Sequence, residues 1–205
     1  MKTLLIITAL AAVPVAASAN LVVNGSFEAN QLPGGSWGVI SSLTGWTGDP
    51  NIELRNNVDG TAEDGKQFVE LDTFGNSAMY QQITGAPGKY TLSFWYSPRL
   101  GVGPGSNGLR VWFDGKHVTN LLTGDSGVGL NDNDWRLFSE DVDFDGSGQL
   151  RFAALGQSDG VGGSLDNVSL TPSLLPVAGD VPEPATLALT GAALVAVALA
   201  RRRRA

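Results

Sequence analysis

Two stretches of strict alternation limit what this chain can fold into. In residues 90–97, Tyr90, Leu92, Phe94 and Tyr96 share one face, while Thr91, Ser93, Trp95 and Ser97 share the other. In residues 109–113, Leu109, Val111 and Phe113 oppose Arg110 and Trp112, and Leu150, Phe152 and Ala154 repeat the pattern with Arg151 opposite. Successive side chains of a strand point to opposite faces, so this period describes sheets packed on one side only. Short β-rich runs recur between Gly, Asn and Asp clusters, and no long helical pattern interrupts them, as in a sandwich or barrel. The pattern predicts strands at 21–23, 52–54, 67–72, 78–83, 88–97, 109–113, 117–121, 135–144, 149–155 and 166–170. Asp114-Gly115 predicts a two-residue hairpin turn. A Gly-rich loop at 98–108 is expected between two neighbouring strands at the rim, and a further hairpin turn at 145–148.

The two ends follow different rules. Residues 1–19 read as a secretory signal peptide: Lys2, an apolar stretch over 4–15, and Ala17-Ser18-Ala19 before a mature start at Asn20. Residues 20–171 make one domain, and 172–180, with two prolines and no pattern, a flexible linker. In 181–205, Pro182-Glu183-Pro184 cannot enter a helix interior, because Pro lacks the N–H and clashes with the preceding turn. Residues 185–200 carry no charge and predict a short membrane helix, below the ~20 residues that span a typical bilayer. Arg201, Arg202, Arg203 and Arg204 then hold the end on the cytoplasmic side, so everything before Val181 is expected to be exported.

Residues 20–180 carry 19 acids against 8 bases, a net charge of −11. That balance argues against nucleic acid or anionic lipid as partner. With no cysteine, there is no disulfide framework and no thiolate chemistry.

The order Pro182-Glu183-Pro184, apolar helix, Arg201 to Arg204 resembles the PEP-CTERM sorting signal of Gram-negative bacteria. The resemblance implies recognition by an exosortase, transient anchoring in the inner membrane, and a final place at the cell surface or outside the cell. It also implies a producer of exopolysaccharide. The body resembles a galactose-binding-like jelly roll, the fold of several carbohydrate-binding modules. Asn24-Gly25-Ser26-Phe27-Glu28, Gly45-Trp46, Asp64-Gly65-Lys66-Gln67-Phe68-Val69-Glu70-Leu71, Gln81-Gln82-Ile83, Gly88-Lys89-Tyr90-Thr91-Leu92-Ser93-Phe94 and Leu165-Asp166-Asn167-Val168-Ser169-Leu170 carry it. It implies an all-β sandwich whose first and last strands lie together, and a structural Ca²⁺ with Glu28 and Asp166 as side-chain ligands. Two carboxylates with loop carbonyls suit that ion, which takes about six to eight hard oxygens.

A sugar site needs flat aromatics for pyranose faces and polar groups for hydroxyls. Trp95, Arg110, Trp112 and Arg151 all fall on the non-core face and are the candidates, since clustered apolar exposure marks binding surfaces. Trp37, Trp46 and Trp135 flank loops and are expected to pack or line the rim. Asp141, Asp143 and Asp145 open an EF-hand-like loop, but its twelfth position is Phe152 and its flanks read as strands. For catalysis, His117 has no partner motif, and only Glu53, Glu70 and Asp72 offer paired carboxylates, so no enzyme is expected. The sequence thus points to an exported module binding polysaccharide. The alternative is a structural matrix protein without a sugar site.

Overall fold

The computed structural model describes residues 19–121 and 125–173. The expected signal peptide, most of the linker and the sorting segment with its helix lie outside them. The described strands are β1 (Ser36–Leu43), β2 (Trp46–Asn56), β3 (Gln67–Glu70), β4 (Ala78–Thr84), β5 (Gly88–Ser97), β6 (Gly108–Phe113), β7 (Lys116–Leu121), β8 (Arg136–Phe144), β9 (Ser147–Leu155) and β10 (Ser164–Pro172). They hydrogen-bond in the order β7-β6-β9-β4-β2-β3-β10-β5-β8, with β1 on β2.

This ladder folds onto itself at β2. Thr47, Gly48 and Asp49 of β2 pair with β4. Farther along, Glu53 to Asn56 pair with β3. One sheet is therefore β7-β6-β9-β4 and the other β3-β10-β5-β8. Their inner faces meet: Phe94 of β5 packs edge-on against Phe152 of β9 at 5.2 Å, and Phe113 of β6 meets Phe144 of β8 at 5.4 Å. The alternation read from the sequence holds. Tyr90, Leu92, Phe94 and Tyr96 are buried, as are Leu109, Val111, Phe113, Leu150 and Phe152. Burial of each such side chain contributes roughly 1.5–3 kcal/mol. The result is an all-β jelly-roll sandwich.

Asp114 and Gly115 close the β6–β7 hairpin with φ of 51° and 69°, the left-handed pair that a two-residue turn needs. Two other connections differ from expectation. Residues 98–107 carry the chain from β5 in one sheet to β6 in the other, so they join no neighbouring strands. The turn after Phe144 likewise passes from β8 to β9 across the sandwich and closes no hairpin. Turn chemistry marks a reversal but not the sheet that receives the next strand.

The expected strand at 21–23 is not formed, although the segment does lie along β10: Leu21 N–H donates to the Leu170 carbonyl at 2.9 Å. Val23 instead has both backbone groups taken by the Gln81 side-chain amide, at 2.7 and 2.9 Å. Gly25 follows where no side chain fits, because a Cβ there would lie 2.0 Å from the Val168 carbonyl oxygen. Strand β1 was missed because its residues are half exposed and show no apolar period.

The outer face of β2 and β3 is polar yet buried. Glu53 and Glu70 are direct cross-strand partners. Arg55, only 2% exposed, lies between them, its Nε 2.8 Å from Glu53 and its Nη2 3.1 Å from Glu70. Arg99, from the 98–107 crossover, closes over Glu70 at 2.8 and 2.9 Å and reaches Asp59 at 3.1 Å. Burial pushes the Glu70 carboxyl up to about 7, against the pull of Arg55 and Arg99.

Two substitutions check this architecture by urea unfolding. Phe152→Ala is expected to cost about 3–5 kcal/mol through the cavity between the sheets. Arg55→Ala is expected to cost about 3–5 kcal/mol by leaving Glu53 buried without its cation and Glu70 with Arg99 alone. A loss below about 1 kcal/mol for either would contradict the packing described.

Candidate functional site

The registers of the β7-β6-β9-β4 sheet place five outward residues in one row across neighbouring strands. Trp112 of β6 sits opposite His117 of β7 and Arg151 of β9. Arg151 sits opposite Tyr80 of β4, and Tyr80 opposite Thr47 of β2. A bulge between Val111 and Trp112 brings His117 into this line. All belong to the face opposite the core, since Val111, Phe113, Leu150, Phe152, Met79 and Ile83 point inward. Trp112, Arg151 and Tyr80 are half-buried and His117 is exposed.

Within the row, the Trp112 ring meets His117 edge-on at 6.4 Å. The Arg110 guanidinium lies 5.6 Å from the Trp112 ring centre, within cation–π range. Arg151 Nη2 donates to Asp49 at 2.8 Å, which orients it along the sheet. Gln82 and Gln149, directly paired in the next register, present amides on the same face. The arrangement is two aromatics separated by a guanidinium, flanked by amide and imidazole groups. Flat rings can cover apolar sugar faces, and the polar groups between them can donate to hydroxyls.

Three of the four candidates, Arg110, Trp112 and Arg151, thus come together. Trp95 does not, and the expectation of one four-residue surface is corrected. It projects from β5 on the outer face of the opposite sheet, between Asp166 of β10 and the exposed Leu137 of β8. Alternation ranks a side chain as inward or outward, but the two outer faces of a sandwich point in opposite directions. Tyr80 was missed, although Met79 and Ile83 alternate with Tyr80 and Gln82 in the sequence.

The remaining tryptophans separate. Trp46 is buried between Phe27 and Phe152. Trp135 packs edge-on against Phe68 at 5.8 Å, and its indole N–H donates to the Thr61 carbonyl. Trp37 is 55% exposed on β1, opposite Arg55.

Glu28 and Asp166 converge on one turn, residues 63–67. Glu28 Oε1 accepts from the Lys66 and Gln67 amides at 2.7 and 2.6 Å. Asp166 Oδ2 accepts from the Glu63 and Asp64 amides at 2.9 and 3.0 Å, and its Oδ1 from the Asn167 amide at 2.6 Å. Gly65 is confined between them, since a Cβ there would lie 2.6 Å from the Glu28 carboxylate. Burial pushes the Asp166 carboxyl up to about 7. The donor types suit a hard cation, and Asp166 Oδ1, which accepts one hydrogen bond, keeps a second lone pair for it. The amides also give both residues a role without a metal, which is to pin the turn. Among the described residues no group of three His, Asp or Glu side chains is arranged as a metal site.

The acids singled out for catalysis have other work. Glu53 and Glu70 are buried against Arg55 and Arg99, out of reach of a substrate. In the EF-hand-like stretch, Asp141 accepts from Thr91 at 2.8 Å and Asp143 pairs with Lys89 at 2.7 Å, both along strand β8. A cleft of about 240 Å³ separates the edge strands β7 and β8, lined by Lys116 and His117 on one side and Glu140, Asp141 and Asp143 on the other.

Comparison with known proteins finds three kinds of similarity. The chain is 29% identical over 174 residues, 82% of its length, to a multifunctional-autoprocessing repeats-in-toxin protein of Vibrio cholerae serotype O1. It is also 29% identical over 156 residues to the protein of that description from Vibrio vulnificus. It spans only 3% of the length of each. Among solved structures, it is similar to a family 35 carbohydrate binding module from Clostridium thermocellum, with a TM-score of 0.44 and 13% identity over 67% of this chain and 99% of that one. A CBM35 from Paenibacillus barcinonensis gives 0.44 and 21% over 68% and 100%. TmCBM61 in complex with beta-1,4-galactotriose gives 0.45 and 17% over 76% and 100%. Residues 180–204, which hold Pro182-Glu183-Pro184 and the arginine run, match the PEP-CTERM protein-sorting motif, and the chain carries that motif.

Proposed function

We propose that this is an exported, exosortase-sorted protein that binds polysaccharide at the cell surface or in the extracellular matrix, without catalysis. The observation that supports the binding reading best is the row Trp112, Arg151 and Tyr80 with Arg110 beside it. Trp112 and Tyr80 lie on the outward face of a sheet whose inward neighbours already fill the core. A row of outward side chains running across neighbouring strands suits an extended chain of sugars rather than a single small molecule. The net charge of −11 over residues 20–180 favours a neutral or cation-bridged glycan over a strongly acidic one.

The address is the second half of the proposal. Pro182, Glu183 and Pro184 are the recognition element, the apolar stretch 185–200 holds the chain in the inner membrane, and Arg201 to Arg204 stop its transfer. Exosortase then releases the body or joins it to the surface. Calcium between Glu28 and Asp166 belongs to the proposal as a structural ion, bracing the turn at 63–67. It supplies a compact positive charge that offsets the burial of Asp166.

Three measurements test these parts. Trp112→Ala with Arg151→Ala should weaken binding to purified exopolysaccharide at least tenfold, whereas Trp95→Ala should leave it within about twofold. Equal binding by parent and double variant, both folded, would place the sugar elsewhere; no binding by the parent across a broad glycan panel would favour the structural matrix protein. Replacing Pro182, Glu183 and Pro184 together by Ala should leave an unprocessed form in the membrane fraction, and normal processing would refute exosortase recognition. Chelation should lower the melting temperature of the parent more than that of Glu28→Gln, and equal shifts would remove calcium from that turn.

A further inference from the structure

The outer end of the sandwich holds one side chain whose chemistry is incomplete. Asp72, just past β3, is fully buried. Its Oδ2 accepts from the Asp159 amide at 3.1 Å. Its Oδ1 is buried with no hydrogen-bond partner. A buried carboxylate oxygen left unpaired costs about 1–3 kcal/mol or more, so native structures rarely keep one without a reason.

The surroundings make the deficit larger. Burial, and then the charge of Asp159, pushes the Asp72 carboxyl up. The Asp159 carboxylate is itself held in place, since its Oδ2 accepts from the Ser106 hydroxyl at 2.8 Å. Two acids thus face each other, one sealed and one at the surface. The neighbouring arginines are already engaged, Arg55 and Arg99 by Glu53, Glu70 and Asp59. No described ion pair joins a basic side chain to Asp72 or Asp159.

Main-chain carbonyls border the two glycines that pack beside these acids. The Thr73 carbonyl stands 3.4 Å from where a Cβ on Gly160 would sit. The Ser106 carbonyl stands 3.5 Å from the equivalent position on Gly162, which also touches Asp72 Cβ at 2.9 Å. Gly160 has φ of 80°, and neither glycine leaves side-chain bulk between the acids and these carbonyls. Three loops, 71–77, 105–107 and 156–163, therefore meet at one small region, with carbonyl oxygens as well as the Asp159 amide close to the acids.

We propose that Asp72 and Asp159, with main-chain carbonyls of these loops, bind one Ca²⁺. Hard oxygen donors in an irregular set, part carboxylate and part carbonyl, suit Ca²⁺ better than Mg²⁺, which demands near-ideal octahedral geometry. Asp72 Oδ1 is the inner ligand, Asp159 the outer one, and water completes the shell. Two carboxylates place the affinity in the range of extracellular modules, about 10⁻⁴–10⁻³ M. The site is separate from the turn held by Glu28 and Asp166, and it ties the 156–163 loop to the end of β3.

Equilibrium dialysis of the chelator-stripped full chain against radioactive Ca²⁺ counts the equivalents bound. Asp159→Asn and Asp72→Asn should each remove one equivalent, while Glu28→Gln should leave that equivalent in place. The parent should also melt several degrees higher in millimolar Ca²⁺, and part of that rise should be lost in Asp159→Asn. Asp159 is exposed, so this variant reads the site even if Asp72→Asn fails to fold. Unchanged stoichiometry and affinity in a folded Asp159→Asn would overturn the proposal, as would a parent that binds no Ca²⁺ at millimolar concentration.

Discussion

The contact between the two inner faces decides nearly everything else about this molecule. Phe94 against Phe152 and Phe113 against Phe144 lock four strands into two layers. Because side chains alternate along a strand, that single commitment also sends every second residue outward. Arg110, Trp112, Arg151 and Tyr80 are where they are because Leu109, Val111, Phe113, Leu150, Phe152 and Met79 are inside. The outward row therefore follows from core packing.

The two outer faces then diverge in character. On the β7-β6-β9-β4 side, aromatic and polar groups stay half open to solvent. On the β3-β10-β5-β8 side, the crossover at 98–107 closes over the sheet, and Arg55 and Arg99 compensate acids that would otherwise be intolerable in so dry a place. Such a network is weak evidence for net stability but costly to break, because removing Arg55 would strand Glu53. It holds the crossover in one position, and the crossover in turn supplies Ser106 to the end of the sandwich.

Much of the fold was legible in the sequence where physics acts locally. The period of 90–97 and 109–113 placed each side chain correctly as inward or outward, and Asp114-Gly115 marked its turn. What stayed hidden depends on contacts between residues far apart in the chain. Trp95 and Trp112 read as companions because alternation carries no information on which sheet a strand joins. The grouping of Glu53, Arg55, Glu70 and Arg99 is set by β2–β3 register and by a loop returning from β5. The unpaired Asp72 oxygen is visible only once three loops are in place. At 21–23 the local pattern was right for an extended segment, but a side-chain amide from Gln81 took the ladder's hydrogen bonds.

The strands β7 and β8 bear on how copies of this chain can meet. Among the described residues these strands end the ladder, and each leaves one row of backbone groups that no described strand pairs. Such edges invite another chain to add a strand, the first step toward fibrous aggregates. Here β8 carries Glu140, Asp141 and Asp143 along its length. Two copies meeting at β8 would bring these acids close to one another. Charge repulsion between two β8 edges therefore disfavours one route by which copies could join strand to strand.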